Sequence, residues 1–409
     1  MGNSVGHTKS SVHRHLRALI RRNRHPESGL WETEAGVAWQ RLLVFAVLYS
    51  FGLRHHVGAD ALSDFFRLIR MDTHVGVSPG ALRTQLRQME ALLPAFQQSC
   101  EASAPAPTHK AVLAADETFF GEVLILILMD LSSGYLLLET LQDDRSFDTW
   151  FAQAAPRLEA RGIQVGHATS DRAKALIKLA VVGFGCASGA DTFHEQYGLS
   201  RWLSPALGRR KAKANQHGEA AQKALESLPS EASAQDKAML ETQRVQAMET
   251  QAQIEAAQKD YEKNLLGISE ELHPFSLEDN TCRTADSVVA GLEKRAEALE
   301  GIAVQQGILD TRSALRKFRA QMDALSSHIS FWWLWVAEIL TEWSVDPATQ
   351  QWLTGTLLPV LYWHHQMHKT QNQVHRKRYQ QAWQKVVRAW EADPFHVGLS
   401  DSDLQRWLT

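Results

Sequence analysis

The sequence predicts a mixed α/β core that lies between helical regions. Short apolar runs of β character alternate with helical patterns between residues 111 and 193, which is typical of an α/β fold. A basic helical pattern opens the chain. Residues 209–330 are rich in Gln, Ala, Glu and Lys, and residues 216–259 contain no aromatic side chain. These shifts divide the chain into four regions, which are 1–101, 108–208, 209–330 and 331–409.

The first region begins with a predicted basic helix. Val12, Leu16 and Leu19 recur at helical spacing, and a serine at 10 or 11 can cap the helix. This pattern resembles the second half of a helix-turn-helix motif, whose first helix would precede the sequence; a short basic capping helix is the alternative. The side chains predicted to contact DNA are Lys9, His13, Arg14, Arg17, Arg21 and Arg22.

A second helical pair follows in the same region. The pattern predicts helices over 60–69 and 78–93, joined by 70–77, and Pro79 suits the first turn of the later helix. A second helix-turn-helix unit and a plain helical hairpin both fit this pattern. The Ala- and Pro-rich residues 102–107 are the predicted linker to the next region.

The α/β region contains eight predicted elements. They are strands 111–119, 123–130 and 135–141, helix 146–161, strand 164–169, helix 172–182, strand 186–193 and helix 195–207. This order is that of a ribonuclease H-like mixed sheet, in which the first and fourth strands lie side by side. Asp116 on the first strand and Asp171 after the fourth would then face one another.

Two carboxylates on neighbouring strands suit a two-metal site for phosphoryl transfer. Oxygen ligands favour Mg²⁺ or Mn²⁺, and two ions about 3.5–4 Å apart can clamp the attacking and leaving oxygens of a phosphodiester. We therefore predict two ions per active site, held by Asp116 and Asp171. A plain strand-end carboxylate is the alternative for Asp116, and a helix N-cap is the alternative for Asp171.

Five segments in this order resemble bacterial insertion-sequence transposases of the DDE type. The segments are Asp116-Glu117-Thr118-Phe119-Phe120, Asp130 to Tyr135, Asp143-Asp144-Arg145, Ser170 to Leu176 and Asp191-Thr192-Phe193-His194. The resemblance implies metal-dependent cleavage at element ends and attack of the freed 3′-hydroxyl on target DNA. It also implies double-stranded DNA as partner and a homo-oligomer assembled on that DNA. Arg172 and Lys174 are expected to contact phosphate.

The third acid of a DDE set is not obvious in the sequence. In such folds it lies on a helix after the fifth strand, or after the insertion where one is present. Glu338 and Glu342 lie on the first helix after residues 209–330, four residues apart and therefore on one face. They are the predicted candidates. The other expectation is that the third acid lies beyond Thr409.

Other functions stay open at this point. One alternative is a catalytically inactive or domesticated transposase-derived protein that binds DNA without cutting it. A helical regulatory protein and a nuclease or junction resolvase of the same fold are further alternatives. Three distant cysteines and no signal-peptide pattern predict a cytoplasmic protein, nucleoid-associated when bound to DNA, with no membrane partner.

Overall fold

The computed structural model describes residues 9–22, 24–26, 28–103, 109–229, 233–311 and 313–392. The chain divides into two compact units, Met1–Ala106 and Pro107–Thr409. The division falls within the predicted Ala- and Pro-rich linker, residues 102–107. Each unit is described by itself.

The described part of the first unit is helical. Its helices are α1 (Lys9–Arg22), α2 (Ser28–Trp31), α3 (Glu34–Val47), α4 (Ala59–Leu68) and α5 (Pro79–Ser103). A π-helical segment, Leu48–Arg54, continues α3. Phe66 and Met71 are fully buried in the core between these helices. The helix pair predicted over 60–69 and 78–93 is therefore present, and its use in DNA binding stays a prediction.

Two apolar surfaces stand out in this unit. Leu16 and Leu19 on α1 remain exposed among the described residues, although their spacing predicted a buried face. The stretch Glu34–Arg54 is long and apolar enough to cross a membrane by length and composition, a test that core helices of soluble proteins also pass.

A five-stranded mixed sheet forms the centre of the second unit, so the predicted mixed α/β class is confirmed. The strands are β1 (His109–Phe120), β2 (Val123–Asp130), β3 (Tyr135–Gln142), β4 (Ile163–Ser170) and β5 (Ala187–Ala190). Their order is β3-β2-β1-β4-β5. The β1–β2 and β2–β3 pairs are antiparallel, whereas β1–β4 and β4–β5 are parallel. The first and fourth strands therefore lie side by side, as predicted.

The sheet is covered on both faces. On one face, Leu113 and Ala115 of β1 pack with Trp150 of α6 (Phe147–Ala160) and with α7 (Lys174–Lys178). On the other face lies α12 (Met322–Glu342), whose His328 packs edge-on against His167 of β4. Burial on both faces fits the apolar character of the central strands.

Helical elements after β5 make up the rest of the unit. They are α8 (Thr192–Glu226), α9 (Ala234–Glu271), α10 (Ala285–Gln305), α11 (Ala314–Arg319), α12, α13 (Pro347–Trp352), α14 (Leu358–Lys369) and α15 (Gln373–Glu391). Gln196 contacts Leu265 and Ser269, whereas Lys211 contacts Glu255. Helices α8 and α9 therefore run antiparallel.

Helix α8 corrects two predicted boundaries. The fifth strand ends at Ala190 rather than 193, because Asp191 caps α8 by accepting a hydrogen bond from the Phe193 amide. The helix then continues to Glu226 instead of ending at 207, with Pro205 inside it. The predicted division at 208 between core and helical insertion was wrong in this sense, because one uninterrupted helix crosses it.

The C-terminal helices pack on an aromatic cluster. Phe275 and Trp363 are fully buried there, and Trp332 and Trp333 of α12 pack edge-on against Phe275. His273 lies within hydrogen-bond distance of the Tyr362 and Tyr379 hydroxyls, at 2.6 and 3.0 Å. Trp332 and Trp333 are partly buried at the edge of this cluster.

Candidate functional site: an acidic edge of the sheet

Asp116 projects from the central strand β1 on the face that α12 covers. Ala111, Leu113 and Ala115 point to the opposite face, because side chains alternate along a strand. Glu117 points that way too. It accepts hydrogen bonds from Arg145 at 2.8 Å and from the Trp150 indole at 3.3 Å. The alternation of side chains along β1 therefore places Asp116 and Glu117 on opposite faces of the sheet, and Asp116 remains exposed.

A β-bulge brings Asp171 opposite Asp116. Ala111 pairs with Val165, but Val112 pairs with His167, so Gly166 is an extra residue in β4. The register beyond the bulge continues through Ala114 and Thr169. Extended by two residues, this register would set Asp171, the residue directly after β4, beside Asp116; without the bulge, Ser170 would take that place. Both carboxylates therefore belong to one face of the two central strands.

The turn after β4 fixes the backbone around Asp171. The Asp171 carboxylate accepts the Ala173 amide hydrogen at 2.9 Å, and Arg172 adopts a left-handed conformation with φ 59°. The Arg172 guanidinium donates to the Ser188 carbonyl of β5. This bond ties the Arg172 guanidinium to β5, and its predicted contact with phosphate stays a prediction. Lys174 is exposed at the start of α7, where phosphate contact stays a prediction.

Asp191 adds a third carboxylate at the end of β5. Its amide donates to the Ser170 carbonyl at 2.8 Å, which sets it next to the strand that leads to Asp171. Its carboxylate caps α8 and lies 2.8 Å from His194 Nδ1. Burial lowers the pKa of His194, but the bond to Asp191 and the charges of Asp191, Asp116 and Asp171 outweigh it. The net pKa is raised.

Glu195 is a fourth carboxylate, one turn into α8. Burial raises its pKa to about 7; His194 and Arg172 oppose this shift, whereas Asp191 and Asp171 add to it. Near neutral pH this carboxyl group is therefore partly protonated. We call Asp116, Asp171, Asp191 and Glu195 together the acidic edge.

Glu338 and Glu342 were wrongly predicted as third acids. Glu338 forms an ion pair with Lys110 at the opposite end of β1. Six residues separate Lys110 from Asp116, which is roughly 20 Å along a strand. Helix α12 thus carries both glutamates away from the acidic edge. The sequence signal that could have identified Glu195 instead is its position on the helix that directly follows the fifth strand.

The donor chemistry of the acidic edge fits a hard divalent cation. Asp116 and Asp171 offer exposed carboxylate oxygens, which Mg²⁺ and Mn²⁺ prefer. Within the described residues, no three acidic, His or Cys side chains converge closely enough to hold an ion. Mg²⁺ often binds through only one or two carboxylates and keeps its other positions for water and phosphate. The Asp116–Asp171 pair fits that mode of binding.

The predicted DNA-contacting side chains of α1 lie in the first unit. His13, Arg14, Arg17 and Arg21 are exposed on this helix, whereas the side chains of Lys9 and Arg22 lie outside the described residues. Their exposure leaves them accessible to a partner. Contact with DNA stays a prediction.

Comparison with known proteins gives one match. A family of unknown function, DUF6399, matches residues 353–409, which begin in the π-helical segment Leu353–Leu357 and include α14 and α15. No curated protein and no solved structure matches the chain. The matched segment lies outside the acidic edge and assigns no activity to it.

Proposed function

We propose that this chain is a DDE-type DNA transposase with a ribonuclease H-like catalytic core. The single observation that carries the proposal is the parallel pairing of β1 with β4, whose register leads toward Asp116 on β1 and Asp171 directly after β4. The strand order β3-β2-β1-β4-β5 with parallel β1 and β4 supports the same reading. Its substrates are the double-stranded ends of an insertion sequence and a target duplex.

The acidic edge provides the chemistry in this proposal. Asp116 and Asp171 hold Mg²⁺ or Mn²⁺, two ions per site, which lower the pKa of water and stabilise charge on phosphoryl oxygens when bound. Glu195 supplies the third carboxylate in place of Glu338 or Glu342. Because its pKa is raised to about 7, it must release a proton before an ion can use its oxygen. Asp191 orients His194, whose positive charge offsets repulsion among the acids.

Binding and assembly follow from the same proposal. The exposed basic face of α1 binds duplex DNA at the element ends through phosphate contacts. Cutting two ends requires two active sites, so the chain works as a homo-oligomer on DNA.

One observation favours a second candidate function. Among the described residues, the carboxylates of the acidic edge do not converge into a three-ligand cluster. A transposase-derived DNA-binding protein without catalytic activity would show this arrangement. Cleavage assays separate the two.

The test uses a plasmid that carries the DNA flanking the gene, incubated with the full chain and Mg²⁺ or Mn²⁺. Asp116→Asn or Asp171→Asn should lower cleavage by about 100-fold or more, because each removes an ion ligand. Glu338→Gln and Glu342→Gln are matched controls and should cut like the wild type. Cleavage that survives Asp116→Asn overturns the proposal. A wild-type chain that binds this DNA but never cuts it supports the second candidate.

A further inference from the structure

An exposed aromatic stack begins next to the acidic edge. Phe193 and Tyr197 on α8 are 65% and 51% exposed, and their rings stack at 5.8 Å with an interplanar angle of 9°. The Arg201 guanidinium lies over the Tyr197 ring, 5.6 Å from its centroid, and the spacing 193, 197 and 201 along α8 sets Phe193 and Arg201 one turn to either side of Tyr197. Arg201, Tyr197 and Phe193 thus form three successive layers. Phe193 comes two residues after Asp191, so the open end of the stack lies beside the carboxylates.

Cations continue from this stack along α8. Arg201, Arg209, Arg210 and Lys213 line a groove of about 700 Å³ between α8 and the segment before α11. Among the described residues that line it there is no acid. Asp310 is nearby in sequence, but its carboxylate caps α11, where it accepts hydrogen bonds from the Ala314 and Leu315 amides. The groove therefore attracts anions.

The stack and the cations share one ridge of the helix. Phe193, Tyr197, Arg201, Arg209 and Lys213 are separated by four or eight residues, and rows at this spacing form ridges inclined to the helix axis. Because four residues turn about 40° more than one full turn, this ridge winds by about 200° around α8 between Phe193 and Lys213. We call these five residues the α8 ridge. Twenty residues of helix span about 30 Å. That length matches roughly nine nucleotides of a DNA strand at 3.4 Å each.

We propose that the α8 ridge binds one strand of DNA, with an unpaired base stacked on Phe193 beside the acidic edge. Sequence-tolerant binding of single strands combines aromatic platforms with cationic grooves, and the ridge offers both. Arg209 and Lys213 contact the phosphates that follow the stacked base. The inference rests on the proposed function in that it takes DNA as the substrate. Beyond the proposed function, the inference assigns the path of one DNA strand and the ring that holds a base near the carboxylates.

The first measurement is binding of fluorescent oligothymidylate of about 20 nucleotides to the full chain, in EDTA so that no cleavage occurs. Phe193→Ala should weaken this binding by about 10-fold or more, because a stacked base is lost. Phe193→Trp keeps a ring and should bind like the wild type, which excludes misfolding as the cause. A 2-aminopurine base in the same oligonucleotide should be quenched by the wild type and not by Phe193→Ala.

The second measurement is the salt dependence of the same binding. The variant R209Q/K213Q should lower the slope of log affinity against log salt by about 1.4, since each of the two phosphate contacts on a single strand contributes about 0.7. The control K237Q/K294Q removes two exposed lysines elsewhere on α9 and α10 and should keep the wild-type slope.

Several outcomes overturn the inference. Wild-type affinity and quenching in Phe193→Ala would do so, as would an unchanged slope in R209Q/K213Q. A self-association of the chain that Phe193→Ala abolishes would assign the ridge to a second copy instead. The proposed function fails separately. If Asp116→Asn alone removes cleavage while ridge variants bind normally, only the ridge inference is lost. If ridge variants lose binding and the wild type never cuts, only catalysis is lost.

Discussion

At the scale of single residues, the acidic edge concentrates negative charge that the fold must accommodate. Asp191 is stabilised by the α8 amides and by His194. At Glu195, the charges of His194 and Arg172 do not offset the effect of burial, so its pKa rises to about 7 from an ordinary value of 4.5. A carboxyl group in this state is poised to change its charge when a cation arrives. The protonation of Glu195 should therefore be linked to both stability and ion binding.

The linkage gives a pH dependence with a definite sign. Between pH 4.5 and about 7, the folded chain holds a proton on Glu195 that the unfolded chain has lost. Stability therefore falls as the pH rises through this window. Glu195→Gln cannot ionise and avoids the loss. In EDTA, we expect it to match the wild type near pH 4.5 and to be more stable at pH 8 by on the order of 1 kcal/mol, after solvent screening.

Urea unfolding at the two pH values measures this difference. Glu262→Gln, on the exposed surface of α9, removes one charge away from the acidic edge and is the matched control. An equal difference in stability between Glu195→Gln and the wild type at both pH values would contradict the raised pKa of Glu195. So would a Glu195→Gln variant that is less stable than the wild type at pH 8.

At the scale of elements, close approach between β4, β5 and α12 positions the acidic edge. Burial, followed by the charge of His328, lowers the pKa of His167 to about 4, so this fully buried ring is neutral near pH 7. The His167 and His328 rings both reach the backbone of β5 at Gly189. A Cβ atom there would lie 2.5 Å from His328 Nε2 and 2.6 Å from His167 Nε2. The glycine lets α12 pack against the sheet next to the strand that leads to Asp191.

Gly189→Ala should therefore destabilise the second unit. Neither imidazole is at the end of a long flexible chain, so the sheet or α12 must shift, at a cost of about 1–3 kcal/mol. Gly301→Ala is the matched control, because its Cβ would meet nothing within 4 Å inside α10. The control should be neutral or stabilising by up to about 1 kcal/mol. Thermal melting compares the two, and equal melting temperatures would refute the packing argument.

At the scale of the whole molecule, the sequence predicted the features that form from short stretches of the chain. The five strands and the parallel pairing of the first with the fourth follow from apolar runs and strand order, and the structure has them. The bulge at Gly166 was not visible, because nothing in a short apolar run marks where a strand takes an extra residue.

The position of the third acid depends on how distant segments pack together, and the periodicity of the sequence does not reveal that packing. Glu338 and Glu342 share a helical face, as predicted, but the direction of α12 across the sheet sets Glu338 against Lys110. That direction is decided by packing of residues far apart in sequence, such as His328 against His167. The continuation of α8 through Pro205 was missed for a related reason, since tertiary packing of Leu203 and Leu207 overrides a local helix breaker.

The measurement that tests the central claim most directly is titration of the full chain with Mn²⁺, followed by electron paramagnetic resonance of the free ion. The account predicts that the wild type binds Mn²⁺ and that Asp116→Asn and Asp171→Asn each abolish or strongly weaken this binding. Glu338→Gln and Glu342→Gln should bind as the wild type does. Binding that persists in Asp116→Asn but disappears in Glu338→Gln would contradict the account and move the ion to the other end of the sheet.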